Sequence, residues 1–279
     1  LDGAGSIYVA DTGNNRVQKL DANGQVQWMY TTGTTNDTKP NDVKIDASGN
    51  VLVLCKGYLL VKLSPGGQLL TSFSLRFTGS ITYDETNALA LDAAGNLYVT
   101  STRMSAVQRY SPQGTHLGGF GANSGTYSGL RAAQTFDAAG NLYVTDGTDR
   151  DPSYTTIRIL DPSGALVRKW GNERLFGPRM RMDEAGNVYY INYDYVQPGI
   201  TKLNAAGQPV ATIGGGNGTG NGQFSYLTSF ALDGRGNLVT MENNGYSFPT
   251  RVQKFDAQGR FLSLFTIPAQ GGNYQPTDV

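Results

Sequence analysis

The side chains best suited to chemistry are few in this sequence, and their spacing keeps them apart. There is one histidine, His116, and one cysteine, Cys55. Together they cannot supply the three or four convergent ligands that zinc needs, nor a nucleophile with its base. His116 follows a predicted turn and falls on an outer rim, where a solvated ring is expected. Cys55 closes an apolar run and reads as a small buried side chain with no disulfide partner. Of the four glutamates, Glu85 and Glu173 fall in connections and Glu184 inside a turn, while Glu242 ends an apolar run. The positions equivalent to Glu242 in other parts of the chain are Asp11, Cys55, Ser101, Asp146 and Asn192. Oxygen ligands from Asp11, Asp146, Asn192 and Glu242 would suit calcium or another hard cation. The competing reading is local: each residue caps the loop that follows it, as Asp11 would in the run from Asp11 to Arg16. The acidic run 146–151 lacks the spacing and closing Glu of a calcium-binding EF-hand loop. The Gly-rich run 214–222 links two predicted strands rather than a strand and a helix, which excludes a phosphate loop. No cofactor is predicted beyond that cation.

These residues are positioned by a six-fold internal repeat. Asp-x-x-Gly-Asn recurs from Asp46, Asp92, Asp137, Asp183 and Asp233, with a variant at Asp2, at offsets of 44, 46, 45, 46 and 50 residues. A second turn series interleaves with it at Asp21/Gly24, Ser64/Gly67, Ser111/Gly114, Asp161/Gly164, Asn204/Gly207 and Asp256/Gly259. Two tight turns per unit, each bracketed by short alternating apolar runs, give four antiparallel strands, a to d. Gly supplies the positive φ of each turn, and Asp can bond amides two residues on, so the turn acids read as structural. Self-similarity at this period with four strands per unit specifies an all-β, six-bladed propeller, one domain over residues 1–279.

Strand a shows its packing directly. Val43/Ile45, Leu89/Leu91, Met180/Met182 and Phe230/Leu232 alternate with Asp42/Lys44, Ala88/Ala90, Arg179/Arg181 and Ser229/Ala231. The period is two, and the small residues mark where innermost strands crowd the axis. Asp42, Lys44, Arg179 and Arg181 break the small-residue rule from opposite blades, so the channel is expected to hold water or an anion. Unit one lacks its own strand a, and the segment Pro276 to Val279 matches Pro40 to Val43. The C-terminus is therefore expected to complete the innermost strand of blade one. Opening at Leu1, with no Met and no leader-like segment, is expected of a trimmed or mature form.

The run from Gly5 to Gly24, Gly-Ser-Ile-Tyr-Val-Ala-Asp-Thr-Gly-Asn-Asn-Arg-Val-Gln-Lys-Leu-Asp-Ala-Asn-Gly, resembles an NHL repeat. The stretch from Gly218 to Phe224 is similar to the Gly-rich run that links such repeats. Fragments persist at Asn96 to Thr100, Ala106 to Tyr110, Asn141 to Asp146 and Arg251 to Phe255. The resemblance covers essentially the whole chain and implies an NHL-type propeller. Enzymes of that family place histidines on the channel-facing surface. With His116 alone, the amidating-lyase and streptogramin-lyase versions are not expected. Gluconolactonase-like propellers instead use carboxylates and Asn about a channel cation, which implies a hydrolase or lyase alternative through Asp11, Asp146, Asn192 and Glu242.

The b–c and d–a connections emerge on one face and are rich in Tyr, Ser, Gly and Asn. Tyr154, Tyr193, Tyr195, Tyr226, Tyr246 and Phe248 fall in the connections of units four to six. Rigid aromatics amid small amides are the composition of adaptable binding surfaces. The function expected is a non-catalytic binding module for a glycan, peptide or protein. Lys plus Arg equal Asp plus Glu, 22 each, so no global field draws nucleic acid, which is not expected as a partner. No apolar run is long enough for a membrane span. Low Lys and Glu with high Asn, Thr and Tyr suit a secreted, extracellular or periplasmic setting.

Overall fold

The computed structural model describes residues 1–75, 86–101, 106–120, 130–148, 151–171, 179–192, 198–233, 236–242 and 249–267. Its strands run as the repeat dictates. Blade one holds β1 (Ile7–Asp11), β2 (Arg16–Leu20) and β3 (Val26–Thr31). Blade two is β4 (Pro40–Ile45), β5 (Val51–Cys55), β6 (Leu59–Leu63) and β7 (Leu69–Ser74). Blade three is β8 (Thr86–Leu91), β9 (Leu97–Ser101), β10 (Ala106–Tyr110) and β11 (His116–Phe120). Blade four is β12 (Leu130–Phe136), β13 (Leu142–Thr148), β14 (Asp151–Leu160) and β15 (Leu166–Trp170). Blade five is β16 (Met180–Met182), β17 (Val188–Asn192), β18 (Gly199–Leu203) and β19 (Pro209–Ile213). Blade six is β20 (Leu227–Leu232), β21 (Leu238–Glu242), β22 (Thr250–Phe255) and β23 (Phe261–Ile267). Each blade is an antiparallel meander with strands paired in chain order. Helix among the described residues is confined to 3-10 turns at Thr12–Asn14 and Asn36–Thr38. Blade one supplies its outer three strands from the described residues, and the expected C-terminal strand, 276–279, lies outside them.

The turns follow from one side chain. Asp46 accepts the Ser48 and Asn50 amides on Oδ1, each at 2.9 Å, and the Asn50 side-chain amide on Oδ2 at 2.9 Å. Gly49 sits at φ +78°, which closes the turn back onto the Asp46 carbonyl. The same pattern repeats at Asp92, Asp137 and Asp183. In four repeats a tyrosine at the second residue of the next strand adds its hydroxyl: Tyr8 to Asp2 at 3.0 Å, Tyr98 to Asp92 at 3.4 Å, Tyr143 to Asp137 at 3.4 Å and Tyr189 to Asp183 at 3.1 Å. These carboxylates are fully engaged in shaping turns.

The core lies between blades, and the strand period explains why. Along β1, Ile7 and Val9 face blade six, where they meet Ala231, Val239, Met241 and Val252. Tyr8 and Ala10 face the other way, onto Val43, Val51, Val53 and Cys55 of blade two. Equivalent clusters join blades two and three, three and four, four and five, and five and six. The first of these clusters closes the ring between blades six and one. Strand b is buried on both faces, which is why these runs are almost continuously apolar rather than alternating.

A second seam runs round the outside. Among the described residues, the Gly of the c–d turn receives a large side chain from the preceding blade's outermost strand in five blades. Trp28 covers Gly67, Trp170 covers Gly207, Phe73 covers Gly114, Ile213 covers Gly259 and Phe265 covers Gly24. A Cβ at Gly67 would stand 2.6 Å from the Trp28 ring, so the seat exists only because the residue is glycine. Trp28 also donates its indole N–H to the Pro65 carbonyl at 3.0 Å.

Candidate functional site

The described residues offer two places where polar chemistry concentrates. The first is the channel at the a–b turn end. Leu1, Tyr8, Val43, Lys44, Ile45, Arg181, Ala231 and Leu232 line a cavity of about 210 Å3 there. Lys44 and Arg181 come from blades two and five, and the structure brings both to this cavity. Lys44 Nζ is paired with Asp42 Oδ1 and also donates to the Val43 carbonyl at 3.2 Å. The other Asp42 oxygen accepts the Leu89 amide at 2.7 Å, tying strand a of blade two to that of blade three. Asp42 is buried, as a carboxylate can be when ion-paired and hydrogen-bonded. Arg179 reaches from blade five across the ring to donate to the Asn41 carbonyl of blade two at 3.2 Å. Arg181 donates to the Met180 carbonyl at 3.1 Å. The turns on this face are short, and the structure places a cavity with charged walls at its centre.

The second place is the opposite rim, above blade six. Glu242, at the end of β21, is fully buried and accepts from Arg251 at 3.1 Å, from the Gln253 side chain at 2.7 Å and from the Ser225 amide at 3.0 Å. Arg251 and Gln253 point the same way because they alternate along β22. They reach on into the Gly-rich connection, where both donate to the Gln223 carbonyl, at 3.0 and 2.9 Å. Arg251 also donates to the Gly220 carbonyl, and Gln253 accepts the Gly222 amide at 2.8 Å. Phe224, wholly buried between blades five and six, pins the loop from below. Desolvation raises the Glu242 carboxyl above the ordinary glutamate range, against the pull of Ser225, Gln253 and Arg251. Two residues beyond Phe224, Tyr226 stands 66% exposed on this braced loop.

Asp11 repeats the arrangement in blade one. It accepts from Arg16 at 2.7 Å, Gln18 at 3.1 Å and Asn14 at 2.8 Å. Asp11 and Glu242, two of the candidate cation ligands, thus each hold their own arginine and glutamine. Asn192 ends β17, and the Asp146 side chain lies outside the described residues. No three His, Cys, Asp or Glu side chains converge as a metal site among the described residues. The signal missed in reading the sequence is the repeated Arg-Val-Gln-Lys that opens strand c at Arg16 and Arg251. It follows the strand-b acid in both blades and marks the pair. Of the six aromatics expected to bind, only Tyr226 is described in full, while Tyr154, Tyr193, Tyr195, Tyr246 and Phe248 have side chains outside the described residues. His116 is exposed on β11 and bonds Gln108 Oε1 at 2.7 Å. Cys55 is buried at the seam of blades one and two, which pushes its thiol up to about 12.

No family model matches the chain, and no curated protein does. Solved structures do match. A protein of unknown function from Bacteroides caccae aligns over 97% of this chain and 96% of its own, at 15% identity and a TM-score of 0.69. A streptogramin B lyase aligns over 99% and 84%, at 13% identity and 0.63. The Dos1 propeller aligns over 97% and 69%, at 12% identity and 0.56. At these identities the likeness is one of fold, and the fold is the six-bladed β-propeller.

Proposed function

We propose that this domain is a non-catalytic binding module, secreted and extracellular or periplasmic, that presents the b–c and d–a loop face to a glycan, peptide or protein. The observation that carries the reading is the braced loop below Tyr226. A buried Glu242–Arg251–Gln253 cluster fixes its backbone, and Phe224 anchors it in the core. An exposed aromatic on a backbone already held in place loses little further freedom on contact, which is how anchors contribute affinity. The NHL-type resemblance of the repeats agrees with such a face but leaves the ligand open. A cation-dependent hydrolase or lyase would draw on Asp11 and Glu242, and both are engaged with arginines.

The test is to screen the purified domain on a glycan array and a peptide library, then repeat the strongest hits with Tyr226→Ala. Binding that drops at least about tenfold, roughly one aromatic anchor, with an unchanged melting transition supports the reading. Hits insensitive to Tyr226→Ala but abolished by chelator would overturn it in favour of the cation-dependent alternative.

A further inference from the structure

The connection from blade five to blade six carries more than Tyr226. From Gly214 to Leu232 no residue is charged. Within it Asn217, Thr219 and Asn221 alternate with Gly218, Gly220 and Gly222, and all three polar residues are exposed. Among the described residues, none of these three side chains makes a hydrogen bond. The glycines are required by Gln223, whose side chain packs against the loop: a Cβ at Gly218 or Gly220 would stand 2.4 or 2.7 Å from its Oε1. That oxygen also accepts the Gly220 amide at 3.0 Å. Backbone bonds hold the rest, with the Gly215 amide donating to the Gly222 carbonyl at 2.7 Å and the Phe224 amide to the Gly216 carbonyl at 3.0 Å. Asn217 pairs with Phe224 in an isolated bridge, and two residues of chain reach about 7 Å at most, which brings Asn217 and Tyr226 onto one small patch.

We infer that this patch binds an uncharged oligosaccharide, which rests on the binding role proposed for this face and narrows its ligand to one class. The Tyr226 ring offers its π face to the C–H face of a pyranose. The amides of Asn217 and Asn221 and the Thr219 hydroxyl can each donate and accept, as sugar hydroxyls do. The charges that brace the loop, Glu242 and Arg251, are buried and paired with each other, so they present no ion to an acidic ligand. A protein or peptide partner asks instead for a contiguous apolar core. Here Phe224 and Leu227 are buried, and Tyr226 is the one exposed aromatic or aliphatic side chain from 214 to 232.

The test titrates cellopentaose, maltopentaose and mannopentaose against the whole domain by saturation-transfer NMR. Pentagalacturonate is the anionic control, and a phage-displayed random peptide library is panned in parallel. The expected result is saturable binding of at least one neutral pentasaccharide, unchanged within about twofold between about 50 and about 500 mM salt because no ion pair forms. Affinity should fall about tenfold in Tyr226→Ala and by less than about twofold in Tyr226→Phe, which keeps the ring. Asn217→Asp combined with Asn221→Asp removes the amide donors and should weaken binding roughly threefold or more. No saturable binding of any neutral sugar, preference for pentagalacturonate, or equal affinity in Tyr226→Ala would each overturn the inference. If Tyr226→Ala fails to fold, the asparagine pair decides, and undiminished affinity there overturns it equally. A peptide that binds and is lost in Tyr226→Ala, while the sugars fail, would sink the sugar and leave the binding face standing. Sugars and peptides alike insensitive to Tyr226→Ala would remove both.

Discussion

Arg251 joins a buried carboxylate to a loop that has no regular structure of its own. Its guanidinium serves Glu242 on one side and the carbonyls of Gly220 and Gln223 on the other. Removing it leaves Glu242 ionised in a site with no exposure. Arg251→Met should therefore lower unfolding free energy by about 3–5 kcal/mol at neutral pH, the usual cost of orphaning one member of a buried pair. The sign with pH follows from Glu242. Its folded pKa is raised, so its contribution is most favourable below the ordinary glutamate range and is lost as pH rises through the folded value. Without Arg251 that value rises further, so the deficit of the variant should shrink as pH falls and Glu242 takes up a proton. Urea titrations of both proteins at two pH values measure this; a deficit independent of pH would show that Glu242 is not the source. The residues were legible here, but not their purpose. Asp11 and Glu242 stood out as acids at a shared strand-b position. Their partners, Arg16 and Arg251, lie across a hairpin at a distance that only the strand register fixes.

At the scale of the element, turns and strands were readable because each is decided by residues close in the chain. The Asp and Gly of every turn select the reversal, and the alternation of each strand selects its faces. Seams between blades were not readable in the same way, since Trp28 and Gly67 meet only once two blades are stacked. Gly67 has φ +82°, and a side chain there would also collide with Trp28. Gly67→Ala should cost about 2–4 kcal/mol, the sum of a left-handed alanine and an overpacked contact. In a Trp28→Ala background only the backbone part should remain, about 1–2 kcal/mol. Chemical denaturation of the four proteins of this cycle checks the split, and equal penalties in both backgrounds would disprove the seat.

Over the whole molecule the turn acids act in parallel. Burial would raise Asp2, Asp46 and Asp183, yet hydrogen bonds from Ser6, Asn50 and Asn187 and the nearby Lys19, Lys62 and Lys202 hold all three below the ordinary aspartate range. A group whose folded pKa is lowered contributes stability above its unfolded value, and that contribution is lost as pH falls through the folded one. The melting temperature should hold down to pH about 4 and then fall steeply, because several blades lose their turn bonds together. Asp46→Asn should soften that fall while costing about 1 kcal/mol at neutral pH. Calorimetry from pH 6 to pH 2 records it, and an acid limb as steep in the variant would assign the loss to other groups. The architecture was thus legible from the repeat alone, and the channel charges from their misfit with it. The cavity was not, because it depends on how closely the inner strands approach.

Five of the six seams join blades that are consecutive along the backbone, so the chain itself spans them. The sixth, where Ile7 and Val9 meet Met241 and Val252 and Phe265 lies over Gly24, joins the first blade to the last by side chains in this part of the ring. Under tension along the polypeptide the ring is a clasp with one catch. Force applied through residues 1 and 267 loads that seam, where the described contacts are hydrocarbon with one bridge from Lys254 to the Ala22 carbonyl.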